Sequence, residues 1–283
     1  MDFIELLKVL LLGIVEGITE WLPISSTGHM LLIDTFFTLQ LREEFKEMFF
    51  VVIQLGAILA VVVFFWKKLF PLHIEKEEKI KFVADMGILK LWGKVLVACL
   101  PAAVIGILFD DLLEEYLHTP LIISLMLILY GVAFIVVENR NKSREFPMQT
   151  TADISYKQAL IIGAFQVLSL IPGTSRSGAT ILGALLIGIS RPAGAEFTFY
   201  LAIPVMFGAS ALKLLKFLMD GGGFLGAEIW YLLIGAIVAF VVSLFVIKFL
   251  MGFVKKHDFK VFGWYRILFG AAVIAYLVIP SLF

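Results

Sequence analysis

Six long apolar runs restrict the kinds of fold that this chain can adopt. They lie at about 48–66, 93–110, 121–137, 197–218, 229–254 and 264–280. A helix needs about 20 mainly apolar residues to cross the hydrocarbon core of a bilayer. Hydrophobic residues make up 61% of the chain, against roughly 45–50% in soluble domains. The sequence therefore predicts an all-α integral membrane protein, with one membrane domain over residues 1–283.

Two further apolar regions, 3–38 and 158–189, are each interrupted near the middle by a short polar segment. The interruptions read PISSTG and PGTSRSG. Broken helices occur at membrane depth where the backbone lines a cavity or packs inside protein. Region 3–38 is also too long for a single span. Each region therefore predicts a re-entrant helical hairpin, which enters and leaves the membrane from the same side.

Loop charge predicts the orientation, because Lys and Arg concentrate in cytoplasmic loops. Basic residues follow the first, third and fifth spans: Lys67, Lys68, Lys76, Lys79 and Lys81; Arg140, Lys142 and Arg144; Lys255, Lys256 and Lys260. The connections between them, at 110–115 and 220–228, are acidic. All three basic loops share one side only if region 158–189 re-enters the membrane instead of crossing it. The sequence therefore predicts that both termini lie outside.

The chain also repeats itself, with repeat 1 at about 1–140 and repeat 2 at about 155–283. At an offset of 150, GIVE at 13–16 matches GAFQ at 163–166, and Ser25, Thr27 and Gly28 match Ser175, Ser177 and Gly178. Each half contains a hairpin followed by three spans. Because three is odd, the halves must have inverted topology. Inverted repeats bind their substrates at the repeat interface near the midplane.

Glu16 and Glu20 are two carboxylates in the first apolar hairpin. A charge near the centre of a membrane helix costs roughly 2.5–3.5 kcal/mol, so these residues indicate a polar cavity. Four residues apart, they share one helix face. They could hold Mg²⁺ or Ca²⁺, which prefer oxygen ligands. Alternatively, one carboxyl could stay protonated or act as a base, since like charges at short range oppose double ionisation.

Ser25, Ser26, Thr27 and His29 follow these carboxylates at the first interruption. A hydroxyl becomes a useful nucleophile when a nearby group takes its proton. Either His29 or Glu20 could do so, or His29 could protonate a leaving group. Ser and Thr at a helix break also serve as caps, so the hydroxyls alone do not identify a site.

Arg176 lies at the second interruption, between Ser175 and Ser177. A guanidinium matches phosphate oxygens bidentately, and the N-terminus of the following helix also favours an anion. The alternative is an internal salt bridge to Glu16 or Glu20. Together, the two interruptions suit phosphoryl transfer, in which positioning and charge neutralisation provide most of the catalysis. The membrane setting predicts a lipid substrate with a phosphate head, and the zero net charge gives no reason to expect nucleic acid.

The motifs EGITEWLPISSTGH (16–29) and PGTSRSGAT (172–180) strongly resemble those of the bacterial undecaprenyl-diphosphate phosphatases of the bacitracin-resistance type. The resemblance implies removal of the terminal phosphate from undecaprenyl diphosphate, which regenerates the monophosphate carrier for cell-wall synthesis. It also implies a divalent cation, a bacterial plasma (inner) membrane location and resistance to bacitracin, which sequesters the diphosphate. It is compatible with a homodimer.

Carried over residue by residue, the resemblance assigns roles to both motifs. The catalytic residues would be Glu20, Ser26, His29 and Arg176; the metal ligands Glu16 and Glu20; the substrate-binding residues Ser25, Thr27, Ser175, Arg176, Ser177 and Thr180. Ser26, His29 or water could be the nucleophile. The position of the first hairpin predicts an active site that opens outward.

The main alternative function is transport of a phosphorylated polyprenyl lipid, because inverted repeats with broken helices are common in transporters. Transport alone does not require a histidine beside serines and paired glutamates, which favours the phosphatase. An intramembrane protease would need a recognisable protease motif around its Ser and His, and the sequence contains none.

Overall fold

The computed structural model describes residues 2–76, 80–117, 119–220 and 223–278. Six of its helical segments are long and apolar enough to cross a membrane. They are α3 and α4 together (Glu43–Val52 and Gln54–Phe64), α6 (Met86–Leu117), α7 (Pro120–Arg140), α10 (Arg191–Met219), α11 (Glu228–Phe253) and α12 (Lys260–Val278). The six predicted spans are confirmed. Lys79, one of the basic residues in the first loop, lies outside the described residues.

The two interrupted apolar regions form pairs of shorter helices. The first contains α1 (Phe3–Thr19) and α2 (Ser26–Phe36), and the second α8 (Tyr156–Val167) and α9 (Arg176–Leu186). Two 3₁₀ turns, Thr151–Asp153 and Leu168–Leu170, precede and follow α8. Both α2 and α9 have 11 residues and are about 16 Å long, roughly half the hydrocarbon thickness.

The basic loop after the first span departs from the all-helical prediction. It contains the short helix α5 (Trp66–Leu69) and two antiparallel strands, β1 (Leu72–Lys76) and β2 (Ile80–Ala84). Leu72 is opposite Ala84 in this hairpin. Each strand has only five residues. A search for apolar runs of about 20 residues does not detect strands of this length.

Helix packing brings the two halves of the chain together. In the first interrupted region, α1 packs on α11, whereas α8 of the second region packs on α6. The pairs α7 with α12 and α4 with α11 are also in close contact. A Cβ added to Gly56 would lie 1.9 Å from the carbonyl oxygen of Ala236, and one added to Gly163 would lie 2.2 Å from that of Ala98. Glycine therefore permits these backbones to touch, as at many interfaces between membrane helices.

The distribution of apolar side chains is that of a protein surrounded by lipid. Large residues on α6, α11 and α12, such as Ile107, Phe245 and Leu268, are exposed on the outer surface. The interior contains an aromatic cluster beside the first interruption, where the fully buried Trp21 meets the ring of Phe199 edge-on at 5.2 Å. This cluster anchors the turn that follows α1.

Candidate active site

Ser25 and Ser175 give the two interruptions the same local geometry. Each is the N-cap of the second helix of its pair, and its Oγ accepts a hydrogen bond from the backbone N–H of Gly28 or Gly178, respectively. Their φ angles are 74° and 73°, and within the described residues they are the only non-glycine positions with positive φ. Such a conformation costs about 1–3 kcal/mol and is concentrated at functional sites.

Glu20 makes hydrogen bonds to residues of both interruptions. Ser26 Oγ donates a hydrogen bond to Glu20 Oε2 at 2.6 Å. Arg176 Nη2 donates to Glu20 Oε1 at 2.8 Å. Both side chains of the ion pair are about nine-tenths buried. One carboxylate therefore links a hydroxyl from the first half of the chain to a guanidinium from the second.

Further contacts fix the guanidinium of Arg176 in place. Nη1 donates to the carbonyl oxygen of Thr198 at 3.0 Å, and the group lies 5.9 Å from the ring centre of Trp21. The sequence left open whether Arg176 binds phosphate or an internal carboxylate. In this arrangement it is paired with Glu20, while its position between the two helix N-termini keeps it close to where an anion would bind.

The other hydroxyls of the second motif have distinct partners. Ser177 Oγ lies 3.1 Å from Ser175 Oγ and 3.3 Å from the carbonyl oxygen of Glu20, so it joins the two turns. Thr180 is fully buried; it donates to the carbonyl oxygen of Arg176 and accepts from the hydroxyl of Thr198. Thr180 therefore lies behind Arg176 and supports it.

Glu16 lies one helical turn before Glu20, as predicted, and is almost completely buried. Its Oε1 has no hydrogen-bond partner among the described residues. A buried carboxylate oxygen without a protein partner suits a cation. Within the described ranges, no group of three or more His, Cys, Asp and Glu side chains could hold a metal ion. An ion here would therefore take further ligands from substrate or water, as Mg²⁺ commonly does.

His29 is close to the serines, but within the described residues its ring makes no hydrogen bond to Ser26. Its Nδ1 lies 2.7 Å from the carbonyl oxygen of Ser25, and its Nε2 lies 2.7 Å from the hydroxyl of Tyr265. The ring stacks on Phe269 at 4.2 Å. The group positioned to take the proton of Ser26 is therefore Glu20. Thr27 is exposed in the first turn of α2 and, in the described part of the chain, takes no part in these hydrogen bonds.

Arg266 is a residue that the sequence reasoning missed. It is fully buried on α12 and donates to the carbonyl oxygens of Pro23, Gly173 and Thr174 at 3.0, 2.7 and 2.9 Å. It also lies 5.5 Å from the ring centre of Tyr130. One side chain thus holds both turns through their backbones. The available signal was a single arginine inside an apolar span, which is rare unless it has a role.

Comparison with known proteins finds one family and several close relatives. The family described as bacitracin resistance protein BacA matches residues 9–272. An undecaprenyl-diphosphatase of Enterococcus faecalis is 67% identical over 97% of this chain and 98% of its own length. One from Acetivibrio thermocellus is 58% identical over 97% of this chain and 98% of its length. One from Streptococcus suis is 50% identical over 99% of both chains.

The role of Arg266 can be tested through stability. Arg266→Met keeps most of the volume but leaves the carbonyls of Pro23, Gly173 and Thr174 without their donor, at about 1–3 kcal/mol for each buried group. We expect the unfolding midpoint in detergent to fall by more than about 5 °C. Cys99, the only cysteine of the chain, permits measurement with a thiol-reactive dye. Arg140→Met, at an exposed helix end, is the control. Equal midpoints for the two variants would contradict the role.

Proposed function

The chain belongs to the bacitracin resistance protein BacA family, and from that membership we propose that it hydrolyses undecaprenyl diphosphate to undecaprenyl phosphate and inorganic phosphate. The protein is a multi-pass membrane phosphatase. The observation that carries the mechanism is the double contact of Glu20. It brings a base, a nucleophilic hydroxyl and an anion-binding guanidinium to one point. Regenerating the monophosphate carrier supports cell-wall synthesis and removes the diphosphate that bacitracin sequesters.

The first step is attack by Ser26 on the terminal phosphorus. Glu20 Oε2, 2.6 Å from Ser26 Oγ, takes the hydroxyl proton as the new oxygen–phosphorus bond forms. The bond from that phosphorus to the bridging oxygen breaks, and undecaprenyl phosphate leaves with the bonding electrons. The substrate's phosphate competes with Glu20 for Arg176, so substrate binding frees the carboxylate to act as a base. Arg176 then neutralises charge on the transferring group.

The second step releases phosphate and restores the serine. Water attacks the phosphoserine at Ser26, and the serine oxygen leaves and recovers a proton from Glu20. Direct attack by His29 is disfavoured because the base Glu20 is hydrogen-bonded to the hydroxyl of Ser26, which makes Ser26 the activated nucleophile. We assign to His29 the protonation of the leaving phosphate oxygen. Direct attack by water remains the competing mechanism.

The substrate's charged head would be bound largely by the second motif. Ser175, Arg176 and Ser177 surround the N-terminus of α9, where free backbone N–H groups and the helix dipole favour phosphate. Ser25 caps α2 in the same manner and would bind from the other side. Thr27 would contact the substrate at the exposed edge of α2, whereas Thr180 would act by supporting Arg176.

A divalent cation, Mg²⁺ or Ca²⁺, would be held by Glu16 and, once Arg176 has turned to the substrate, by Glu20. The unpartnered buried oxygen of Glu16 supports this assignment. When bound, the ion would neutralise negative charge on the diphosphate oxygens. Glu16 would hold the ion without taking part in proton transfer.

Inverted repeats with two re-entrant hairpins account for the arrangement of the helices. The matching caps at Ser25 and Ser175, 150 residues apart, support the repeat. The exchange of partners supports a two-fold relation between the halves, because α1 packs on a helix of the second half and α8 on one of the first. The short α2 and α9 suit hairpins that turn back at mid-depth. In this topology both termini lie outside and the site opens outward; a homodimer stays a prediction of the resemblance.

A transporter for the same class of lipid is the second candidate, favoured by the inverted helix arrangement. The two functions separate at Ser26, because moving a lipid phosphate between leaflets needs no nucleophile. Phosphate release by the purified protein is therefore the deciding measurement.

We expect purified protein to release phosphate from a polyprenyl diphosphate, with activity removed by EDTA and restored by Mg²⁺. Ser26→Ala, Glu20→Gln and Arg176→Ala should each lower kcat by at least about 10²-fold, because each removes a group used in the transition state. Glu16→Gln should raise the Mg²⁺ concentration needed. Ser169→Ala, a hairpin serine bonded to the backbone of its own turn, should retain activity.

Rapid quenching should also trap phosphate on Ser26 in the native protein. Full release by Ser26→Ala would overturn the serine mechanism. No release from folded native protein would move transport to first place.

The topology can be tested by labelling single cysteines in a Cys99→Ala background. Glu43→Cys, before the first span, should react with a membrane-impermeant thiol reagent in intact cells. Lys256→Cys, after the fifth span, should react only after the cells are permeabilised, because the two positions lie on opposite sides of the membrane in the proposed topology. The reverse pattern would contradict the orientation, and equal labelling of both would contradict the parity of the spans.

A further inference from the structure

We propose that Tyr265 is a positioning residue for the phosphatase reaction, acting through His29. Its hydroxyl lies 2.7 Å from His29 Nε2. In this role Tyr265 positions the imidazole through a hydrogen bond that is available whether His29 is neutral or protonated. The inference rests on the proposed function, and in particular on His29 as the proton donor to the leaving phosphate.

The hydrogen bonds of His29 fix which of its nitrogens carries a proton. Nδ1 lies 2.7 Å from the carbonyl oxygen of Ser25. A carbonyl oxygen can only accept a hydrogen bond, so Nδ1 must carry a hydrogen. Nε2 is therefore the nitrogen that gains and loses a proton during the reaction, and Tyr265 is its partner.

A tyrosine hydroxyl suits this position because it both donates and accepts hydrogen bonds. It donates to Nε2 when His29 is neutral and accepts from Nε2 when the imidazole is protonated. The contact therefore persists in both states of a proton donor. A residue that only donated, or only accepted, would lose the bond in one of the two states.

Aromatic packing holds the rings of His29 and Tyr265 in position. The ring of His29 stacks on Phe269 at 4.2 Å with an angle of 9° between the planes, and it is also nearly parallel to the ring of Tyr265. Within the described residues, the ring nitrogens of His29 are paired with Ser25 and Tyr265 and make no hydrogen bond to Ser26. The hydroxyl of Ser26 instead donates a hydrogen bond to Glu20 Oε2 at 2.6 Å. The site therefore has two separate hydrogen-bonded pairs that take part in proton transfer, Glu20 with Ser26 and Tyr265 with His29.

The backbone position of Tyr265 is fixed by its neighbour. Arg266 is hydrogen-bonded to the backbones of both turns, so Tyr265 cannot move relative to the site without disturbing them. Tyr265 is 43% exposed, whereas His29 is 8% exposed.

The pair of His29 and Tyr265 completes the proton balance of the first step. His29, protonated on both nitrogens, gives its Nε2 proton to the bridging oxygen as the phosphorus–oxygen bond breaks. The neutral imidazole then accepts the hydrogen bond of the Tyr265 hydroxyl at Nε2, and it regains a proton from the solvent before the next turnover. The net change in this step is the transfer of one proton from His29 to the leaving phosphate, and Tyr265 stays un-ionised throughout.

A double-mutant cycle separates this role from a structural one. Tyr265→Phe keeps the ring and removes the hydroxyl, and we expect kcat to fall about tenfold with KM within about twofold. In a His29→Gln background the same change should cost less than about twofold, because its effect runs through His29. Tyr276→Phe is the matched control: Tyr276 lies on the same helix, is 45% exposed and packs on Phe36.

A second measurement covers the case in which His29→Gln is too slow to assay. Tyr265→Phe should shift the ¹⁵N resonance of His29 Nε2, whereas Tyr276→Phe should not, and both should unfold at the native midpoint.

Equal losses from Tyr265→Phe in both backgrounds, or a rise in KM alone, would overturn the inference. So would full activity of Tyr265→Phe in a preparation whose native protein releases phosphate. Absence of release from the native protein would instead overturn the proposed function.

Discussion

The ion pair between Glu20 and Arg176 is the interaction on which the rest of the site depends. Ionised groups at membrane depth are costly unless they are paired or solvated, and these two groups come from turns 156 residues apart in sequence. Pairing them forces the turns together. The same carboxylate accepts the hydrogen bond of Ser26, so the contact that neutralises the charges also assembles the chemistry.

The turns themselves need backbone partners, because buried carbonyl and N–H groups outside regular helices are costly when they are left unsatisfied. Serine caps at Ser25 and Ser175 take up N–H groups at the helix starts. Arg266 takes up carbonyls of both turns from a third element, α12. Its neighbour Tyr265 binds His29. The last long helix of the second half, α12, thereby holds the turns of both halves in place.

The sequence predicts the spans well, because a helix that crosses lipid must be long and apolar. Such helices are visible directly in the hydropathy of the sequence. The sequence also identifies Glu16, Glu20 and Arg176, since ionisable residues stand out in apolar surroundings. It does not decide between His29 and Glu20 as the partner of Ser26. That choice depends on the rotation of α2 and on a tyrosine 236 residues away. Arg266 stands out in the same way, as a lone arginine in an apolar span, but its partners lie in two turns distant in sequence, so its role could not be predicted from its neighbours.

The most direct test is an experimental structure with Mg²⁺ and a methylene analogue of a polyprenyl diphosphate, whose carbon bridge cannot be hydrolysed. We predict that Arg176 binds the terminal phosphonate in place of Glu20 Oε1. Ser26 Oγ should lie about 3–3.5 Å from the terminal phosphorus, in line with the bridging carbon. An analogue bound away from both turns, with the Glu20–Arg176 pair intact, would contradict the account.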